Sequence, residues 1–275
     1  MEESPREQTP PSFSSAALMA FGSNVNSVAV GWPDGKVEFW IAQPFRRVRA
    51  IADSTNAPMH LALAESGQQL SVHRADDTVE IWNLQTGELV RRLPALERLF
   101  LGPNCEFWAH DRILARATYG SSSLAELWLL PKGERRVFVH PKGNLWNVAV
   151  SHDGRLLATS AQDGVLRLWD VASEREIAAI PGQLKKYYSL AFSPDDSRLA
   201  GGGDDGTITM WDVSTLQQVA HWKAHQRSAW VRFVGGDQVL ATFGDPNEAD
   251  RYQSEVRIWR APPLAEIDAA AKAGK

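Results

Sequence analysis

Short runs of alternating apolar and polar residues, each broken by a turn sequence, dominate this chain. In the best-defined stretch they predict strands at 146–151, 155–160, 165–170 and 175–180, because alternation places apolar side chains on one face of a strand. Asp-Gly, Ser-Pro-Asp-Asp and Thr-Gly sequences between the runs favour tight turns. Turn signals interrupt every apolar run before it reaches helical length. The pattern therefore predicts an all-β fold of antiparallel strands with almost no helix.

Six tryptophans close six similar strands at a nearly regular interval. Consecutive tryptophans are 42, 46, 41, 42 and 48 residues apart, a period that indicates a repeat architecture. An apolar residue also lies 19 to 26 positions before each tryptophan and another eight or nine positions after it. We expect the tryptophans to be structural: Trp40, Trp82, Trp128, Trp169, Trp211 and Trp259. The upstream residues are Phe21, Leu63, Trp108, Val150, Phe192 and Phe233, and the downstream residues are Val48, Val90, Val137, Ile177, Val219 and Ile267.

Two stretches carry these features most fully, VAVSHDGRLLATSAQDGVLRLWD (148–170) and LAFSPDDSRLAGGGDDGTITMWD (190–212). At these stretches the chain resembles the WD-repeat β-propeller family, and the resemblance covers nearly its whole length. It implies a β-propeller of six four-stranded antiparallel blades within a single domain, residues 16–270. The polar, proline-containing residues 1–15 predict a disordered tail, and residues 271–275 a short carboxyl-terminal one.

The chain departs from the family pattern in its polar residues. A Trp-Asp pair occurs only in the fourth and fifth of the six tryptophan repeats. The buried Asp-His-Ser-Trp network that the resemblance implies is possible only in the fourth repeat, with His140, Ser160, Asp163 and Trp169. Asp163 and Asp205 are expected to be structural turn residues. In the other repeats we expect apolar packing to hold the blades together.

The strand register bears on how such a ring would close. Ile267 occupies the fourth-strand position of the sixth repeat, so the residues after Trp259 can complete that blade from the carboxyl end. Residues 4–11 read SPREQTPP, and proline cannot donate a hydrogen bond to a sheet. We expect a closed six-bladed ring. The alternative is an open ring, whose two bare apolar blade faces would need a partner.

Composition narrows the classes of function. The chain has 44% hydrophobic and 23% charged residues with a formal net charge of −4, so nothing attracts it in bulk to nucleic acid or to an anionic membrane. Its single cysteine, Cys105, cannot form an internal disulfide. The first residues lack the features of a signal peptide, and no apolar run is long enough to span a membrane. We expect a cytoplasmic protein without nucleic-acid or membrane partners.

Motifs for catalysis are missing from the sequence. Residues 201–206 have the G-x-G-x-x-G spelling but lead into a predicted strand, whereas a phosphate cradle must open a helix. His221 and His225 have i,i+4 spacing, yet no third ligand lies near them in the sequence. A nucleophile elbow and a Walker-type motif are both absent. We expect no enzymatic activity, no metal and no cofactor.

Aromatic residues gather at the loops that lead into the first strands and at those that join the second and third strands. Aromatic and arginine side chains form many of the hot spots in protein interfaces. For aromatics at the start of a strand, packing between blades is the alternative role. The candidate partner-binding residues are Trp32, Trp146, Tyr187, Tyr188, Arg227, Trp230, Arg251 and Tyr252.

These patterns together predict a non-catalytic interaction scaffold that presents an aromatic-rich propeller face to a peptide or protein. One alternative is an incomplete propeller that serves as a structural subunit of a larger assembly. A less favoured one is an enzyme with a site at the channel mouth. The identity of the partner and the oligomeric state stay open. Three arginine pairs near the predicted outer strands are expected to charge those edges against unwanted pairing: Arg46-Arg47, Arg91-Arg92 and Arg135-Arg136.

Overall fold

Antiparallel strands make up all the regular structure that the computed structural model of the chain describes, so the all-β prediction is confirmed. The described residues are 18–21, 27–42, 45–52, 55–64, 66–94, 105–108, 112–117, 124–130, 132–181, 186–233, 239–244 and 255–260. Within them there is no helix of any kind, and hence none that could cross a membrane. The predicted strand around Ile267 lies outside these residues.

Six sheets follow one another along the chain, each a meander of consecutive strands. In the described residues five sheets have four strands and the sixth has three. The first sheet comprises β1 (Leu18–Phe21), β2 (Ser27–Gly31), β3 (Val37–Ala42) and β4 (Phe45–Ala52), and the second β5 (Pro58–Leu63), β6 (Gln69–Arg74), β7 (Val79–Asn83) and β8 (Leu89–Leu93). The third comprises β9 (Cys105–Trp108), β10 (Ile113–Ala117), β11 (Leu124–Leu129) and β12 (Glu134–Val139), and the fourth β13 (Leu145–Val150), β14 (Leu156–Ala161), β15 (Val165–Asp170) and β16 (Arg175–Pro181). The fifth comprises β17 (Tyr187–Phe192), β18 (Arg198–Gly203), β19 (Thr207–Asp212) and β20 (Gln218–Lys223), and the sixth β21 (Ala229–Phe233), β22 (Val239–Gly244) and β23 (Glu255–Arg260).

The sequence registers coincide with the strand positions. In the fourth sheet every predicted strand agrees with the observed one to within one residue at either end. The upstream apolar residue is the last residue of the first strand in all six sheets, from Phe21 in β1 to Phe233 in β21. Each repeat tryptophan lies in the third strand. The sequence period is therefore the period of the sheets.

The chain divides into two compact units, residues 1–118 with 127–135 and residues 119–126 with 136–275. In the first unit β1 contacts β5, and β5 contacts β9. In the second unit β13 contacts β17, which contacts β21. Successive sheets within each unit thus meet through their first strands.

Apolar side chains fill the space between successive sheets. In the first unit Phe39 of β3 and Leu61 of β5 belong to one buried cluster that joins the first two sheets. In the second unit a similar cluster joins Ile208 of β19 to Val231 and Leu240 of the sixth sheet. Burial at these interfaces stabilises each pair of sheets by roughly 25 cal/mol per Å² of apolar surface removed from water.

In the five sheets whose fourth strand is described, the downstream apolar residue lies in that strand, as the register predicts, but it does not belong to the buried core. In four sheets the hydrogen-bond register skips one residue at this position, which makes it a β-bulge. The bulged residues are Val48, Val90, Ile177 and Val219, and each is at least 37% exposed. Bulges twist an outer strand and interrupt its pairing edge, so they protect that edge from another chain.

Buried glutamates correct the expectation that apolar packing alone holds the repeats outside the fourth. Glu38 lies two residues before Trp40 and accepts a hydrogen bond from the indole Nε1 at 3.2 Å. Arg47 of the neighbouring strand forms an ion pair with the same carboxylate at 2.9 Å. In the second sheet Glu80 accepts from Trp82 in the same way. Alternation hid these residues because a glutamate on a strand normally indicates the solvent face.

A buried arginine extends this network in the second sheet. Arg74 is 1% exposed and donates to Glu80 Oε2 at 2.9 and 3.1 Å. Its Nη1 donates to the backbone carbonyls of Gly35 at 2.8 Å and Asn56 at 3.0 Å. Arg92 holds the other oxygen of Glu80 at 2.8 Å. Arg74 therefore ties a turn of the first sheet to the second.

The fourth repeat also differs from the expected Asp-His-Ser-Trp network. Arg167 lies between His140 and Asp163, with Nη1 at 2.6 Å from His140 Nε2 and Nη2 at 2.9 Å from Asp163. Trp169 donates to Thr159 at 3.0 Å, whereas Ser160 donates to the Tyr187 carbonyl of the next sheet at 2.9 Å. The sequence correctly selected His140 and Asp163. It missed the arginine that separates them.

Electrostatics fix the protonation of this cluster. His140 Nδ1 donates to the Lys142 carbonyl at 2.9 Å, so Nε2 is free to accept from Arg167. Burial, together with the nearby Arg167 guanidinium, lowers the pKa of His140. Burial alone would raise the pKa of Asp163, but the hydrogen bond and charge of Arg167 hold it below its usual value. The cluster is therefore a neutral histidine with an ion pair.

Outer-strand arginines link the first sheet to the second and the third sheet to the fourth. Arg49 donates to the carbonyls of Thr86 at 2.7 Å and Gln85 at 3.0 Å, in the last turn of the second sheet. Arg136 of β12 reaches Glu174 at 3.0 Å in the corresponding turn of the fourth sheet. Together with Arg47 and Arg92, these contacts correct the interpretation of the arginine pairs. Members of the pairs bind specific partners rather than only charging an edge.

Candidate functional site

Three of the predicted aromatics form one continuous row in the second unit. Trp146, Tyr188 and Trp230 each occupy the second position of a first strand, in β13, β17 and β21. The Trp146 and Tyr188 rings meet edge to face with centroids 5.5 Å apart, and Tyr188 stacks on Trp230 at 6.2 Å. Trp230 is 42% exposed. We call these three residues the aromatic ladder.

β-Bulges position two members of the aromatic ladder. The register of β13 with β14 skips Trp146, and that of β17 with β18 skips Tyr188. A bulged residue leaves the alternation of its strand, so its side chain is redirected. Trp230 needs no bulge and pairs regularly with Phe243. The sequence could not show the bulges, because one extra residue in a strand does not disturb the repeat period.

Tyr187 does not belong to this surface. It is 1% exposed, and its ring packs edge to face on Trp211 with centroids 5.5 Å apart. Gly201 makes room for it, since a Cβ there would lie 2.9 Å from the tyrosine ring. The sequence predicts that Tyr187 binds a partner, but its side chain is buried and packs within the fifth sheet. The glycine run opposite it was the available sequence signal.

Polar contacts between neighbouring sheets fix the spacing of the aromatic ladder. Asn147 Oδ1 accepts a hydrogen bond from the Leu190 amide at 3.0 Å, which ties β13 to β17. Ser189 Oγ donates to the Val231 carbonyl at 3.1 Å and accepts from the Val231 amide at 3.2 Å, which ties β17 to β21. Gly202 lets β21 approach, because a Cβ there would lie 2.8 Å from the Ala229 carbonyl carbon. A rigid backbone thus carries the three rings.

Cationic groups border the aromatic ladder. Lys186 Nζ lies 5.2 Å from the centroid of Trp146, within range of a cation–π interaction. The predicted residue Arg227 is exposed in the loop before β21. Lys186 is not among the residues predicted to bind a partner. The structure gives it a defined place at one end of the ladder.

Three further candidates are predicted from the sequence, Trp32, Arg251 and Tyr252. Trp32 of the first unit is half-buried and packs against Val28, Val30 and Trp40. Its role therefore includes packing. Arg251 and Tyr252 lie outside the described residues. Sequence reasoning missed Met59, which is 44% exposed. The register of β5 with β6 skips this residue, just as the register of β13 with β14 skips Trp146.

The histidines take part in local hydrogen bonds. His221 Nδ1 is 2.9 Å from Thr209 Oγ1, and His225 Nε2 is 2.8 Å from Thr242 Oγ1. His152 Nδ1 is 3.0 Å from Asp196. Over the described ranges, no three His, Cys, Asp or Glu side chains are placed to hold a metal ion. The segment 201–206 forms the end of β18 and a turn, as predicted.

Comparison with known proteins identifies two repeats. Residues 133–170 and 175–212 match the family model described as WD domain, G-beta repeat. The first match runs from β12 through β15, and the second from β16 through β19. No curated protein matches the chain at a significant level. Each match ends on a Trp-Asp pair, and together they contain Trp146 and Tyr188 of the aromatic ladder.

Proposed function

We propose, from the premise that the chain is a WD-repeat protein, that it is a non-catalytic interaction module whose aromatic ladder binds a protein or peptide. WD repeats generally mediate contacts between proteins and are typical of non-enzymatic scaffolds. In this proposal the six sheets are the blades of a closed six-bladed propeller. The protein acts in the cytoplasm, in keeping with its single cysteine.

The observation that carries the proposal is the exposed indole of Trp230 at the end of an ordered row of rings. A single exposed tryptophan is weak evidence for a binding site. A rigid, contiguous aromatic surface, however, is typical of the hot spots of protein interfaces. The rings are held in place before any partner arrives, so binding orders few side chains. Trp32, by contrast, is half-buried and packs against Val28, Val30 and Trp40.

Crosslinking and affinity capture from the native host tests the proposal. We expect Trp230→Ala and Tyr188→Ala to keep the melting temperature of the wild type and to lose a captured partner, since a hot-spot residue contributes about 2 kcal/mol or more. Ile177→Ala, which removes an exposed apolar side chain from an outer strand, is the matched control. If both ladder variants capture the same proteins as the wild type, the aromatic ladder is not the binding surface.

A second candidate function rests on the sixth sheet. Val256 and Ile258 of β23 are 55% and 54% exposed, whereas the equivalent residues of β15, Leu166 and Leu168, are buried. Such a face could dock another chain, making the protein a subunit of an assembly. The molecular mass in solution separates the two functions. A 30.4 kDa monomer favours the first, and an assembly broken by Ile258→Glu favours the second.

A further inference from the structure

The surroundings of the aromatic ladder are more positive than the chain as a whole, which carries a net charge of −4. In the described loops and strand ends around it, Asp163 is neutralised by Arg167. Three other acidic residues and four cationic residues lie in these loops and strand ends. The acidic residues are Asp204, Asp205 and Glu255, and the cations are Lys142, Lys186, Lys223 and Arg227.

Two of these cations belong to the segments that carry the first and last rings of the aromatic ladder. Lys186 Nζ lies over the Trp146 ring, and Arg227 is exposed in the loop that leads into the strand of Trp230, three residues before it. Among the described residues, neither forms an ion pair with a carboxylate. A neutral ligand that covered the rings would also cover these charges, and burying an unpaired charge costs several kcal/mol. The ligand must therefore bring its own negative charge.

We infer that the aromatic ladder binds a short, extended acidic peptide with an apolar anchor, an inference that rests on the proposed function. The apolar side chain packs on the Tyr188 and Trp230 rings. Carboxylates on either side of it meet Lys186 and Arg227. Complementary charge raises the rate of encounter and excludes basic partners, while the rings supply the contact area.

Fluorescence anisotropy of labelled decapeptides on the full chain tests the class of ligand. The probes are EEEEFPEEEE, the charge-reversed KKKKFPKKKK and the anchorless EEEEGSEEEE, together with a ten-residue oligothymidylate. We expect EEEEFPEEEE to bind at least tenfold more tightly than each of the others. Raising the salt concentration should weaken its binding, because exposed charges are screened.

Variants of the chain locate the binding. Trp230→Ala should weaken the acidic peptide by about 30-fold, the equivalent of a hot spot. Arg227→Gln should weaken it several-fold and flatten its salt dependence. The matched control is Arg155→Gln, which removes an exposed arginine from the β13–β14 turn of the fourth sheet. This turn lies at the opposite end of β13 from Trp146, so the substitution should change neither the affinity for the peptide nor its salt dependence.

The outcomes separate the inference from the proposed function. If Trp230→Ala weakens binding but the lysine peptide binds as well as the acidic one, the acidic class is wrong and the surface stands. If Trp230→Ala changes nothing, both fail. Tighter binding of the oligothymidylate overturns the inference in favour of a nucleic acid, and binding of no probe at millimolar concentration overturns it outright.

Discussion

The side chain that accepts the indole hydrogen bond of the repeat tryptophan differs between sheets, and the interactions that stabilise the sheet differ with it. Trp40 and Trp82 donate to buried glutamates, which need arginines to balance their charge. Trp169 and Trp259 donate instead to threonines and need no countercharge. A buried ion pair contributes little net stability, but the loss of one partner leaves the charge of the other buried and unpaired, which is strongly destabilising. Repeats of the same outline therefore differ sharply in sensitivity to substitution.

Glu80→Gln tests this difference. The substitution leaves the buried Arg74 guanidinium without a negative partner, so we expect a loss of about 3–5 kcal/mol in unfolding free energy. Urea denaturation measures it. Glu134→Gln is the control, because that carboxylate is exposed and its ion pair with Lys132 is long, at 3.9 Å. The substitution should change the unfolding free energy by less than about 0.5 kcal/mol. Equal midpoints for the two variants would show that the network is not needed.

His60 predicts a pH dependence. Burial, with the neighbouring His73, lowers the pKa of His60 to about 4 from its usual value of 6.5. A lowered histidine pKa means that the unfolded chain binds the proton more tightly, so stability is present above pH 6.5 and is lost as the pH falls toward 4. At about 1.4 kcal/mol per unit, we expect a loss of about 2–3 kcal/mol.

Denaturation of His60→Gln across this range isolates the effect. The variant should be less sensitive between pH 6.5 and 4.5, a window above the usual pKa of aspartate. Identical slopes for variant and wild type would mean that His60 does not stay neutral in the folded protein.

At the scale of strands, the sequence predicted positions better than faces. The alternating pattern located the strands of the fourth sheet and the ends of all six first strands. It could not predict that Val219 is exposed on a bulge, or that Tyr188 points away from the strand alternation while Tyr187 stays in it. Periodicity reports which residues repeat, whereas bulges and close approaches depend on the partner strand.

Gly202→Ala tests one such approach. Alanine in a strand would by itself gain about 0.5–1 kcal/mol over glycine. At this position its Cβ would meet the Ala229 backbone, and overpacking typically costs about 1–3 kcal/mol, so we expect a net loss. Calorimetry of the variant and of Ser160→Ala, at the same register of the fourth sheet, gives the comparison. The serine variant should lose only one hydrogen bond, about 1 kcal/mol. A stabilised Gly202→Ala would show that the sheets can separate at no cost.

At the scale of the whole molecule, the outer edge of the sixth sheet is the feature on which the proposed closure of the ring depends. β23 is its last described strand, whereas each of the other sheets continues to a fourth. The sequence places Ile267 at the fourth-strand position of the sixth sheet, outside the described residues. Fold class and period could be predicted from the sequence, whereas the expected closed ring depends on contacts between distant parts of the chain and stays a prediction.

Truncation tests the assignment of the fourth strand. We expect removal of residues 261–275 to lower the melting temperature by several degrees, because β23 would lose its neighbour, and removal of residues 1–13 to leave it nearly unchanged. Thermal denaturation followed by circular dichroism measures both. The reverse ranking would place the closing strand at the amino terminus.

The contacts that Arg49 makes with Gln85 and Thr86 span 36 and 37 residues, about one repeat. On a translating ribosome, Arg49 therefore emerges before the carbonyls that receive it have been synthesised. At a synthesis rate of roughly 5–20 residues per second, about 2–7 seconds pass between the synthesis of Arg49 and that of its two acceptor carbonyls. During synthesis, the contacts of the first sheet are thus completed only when the second sheet has been made. A nascent chain that stalls within one repeat therefore exposes the preceding sheet as well as the unfinished strands of that repeat.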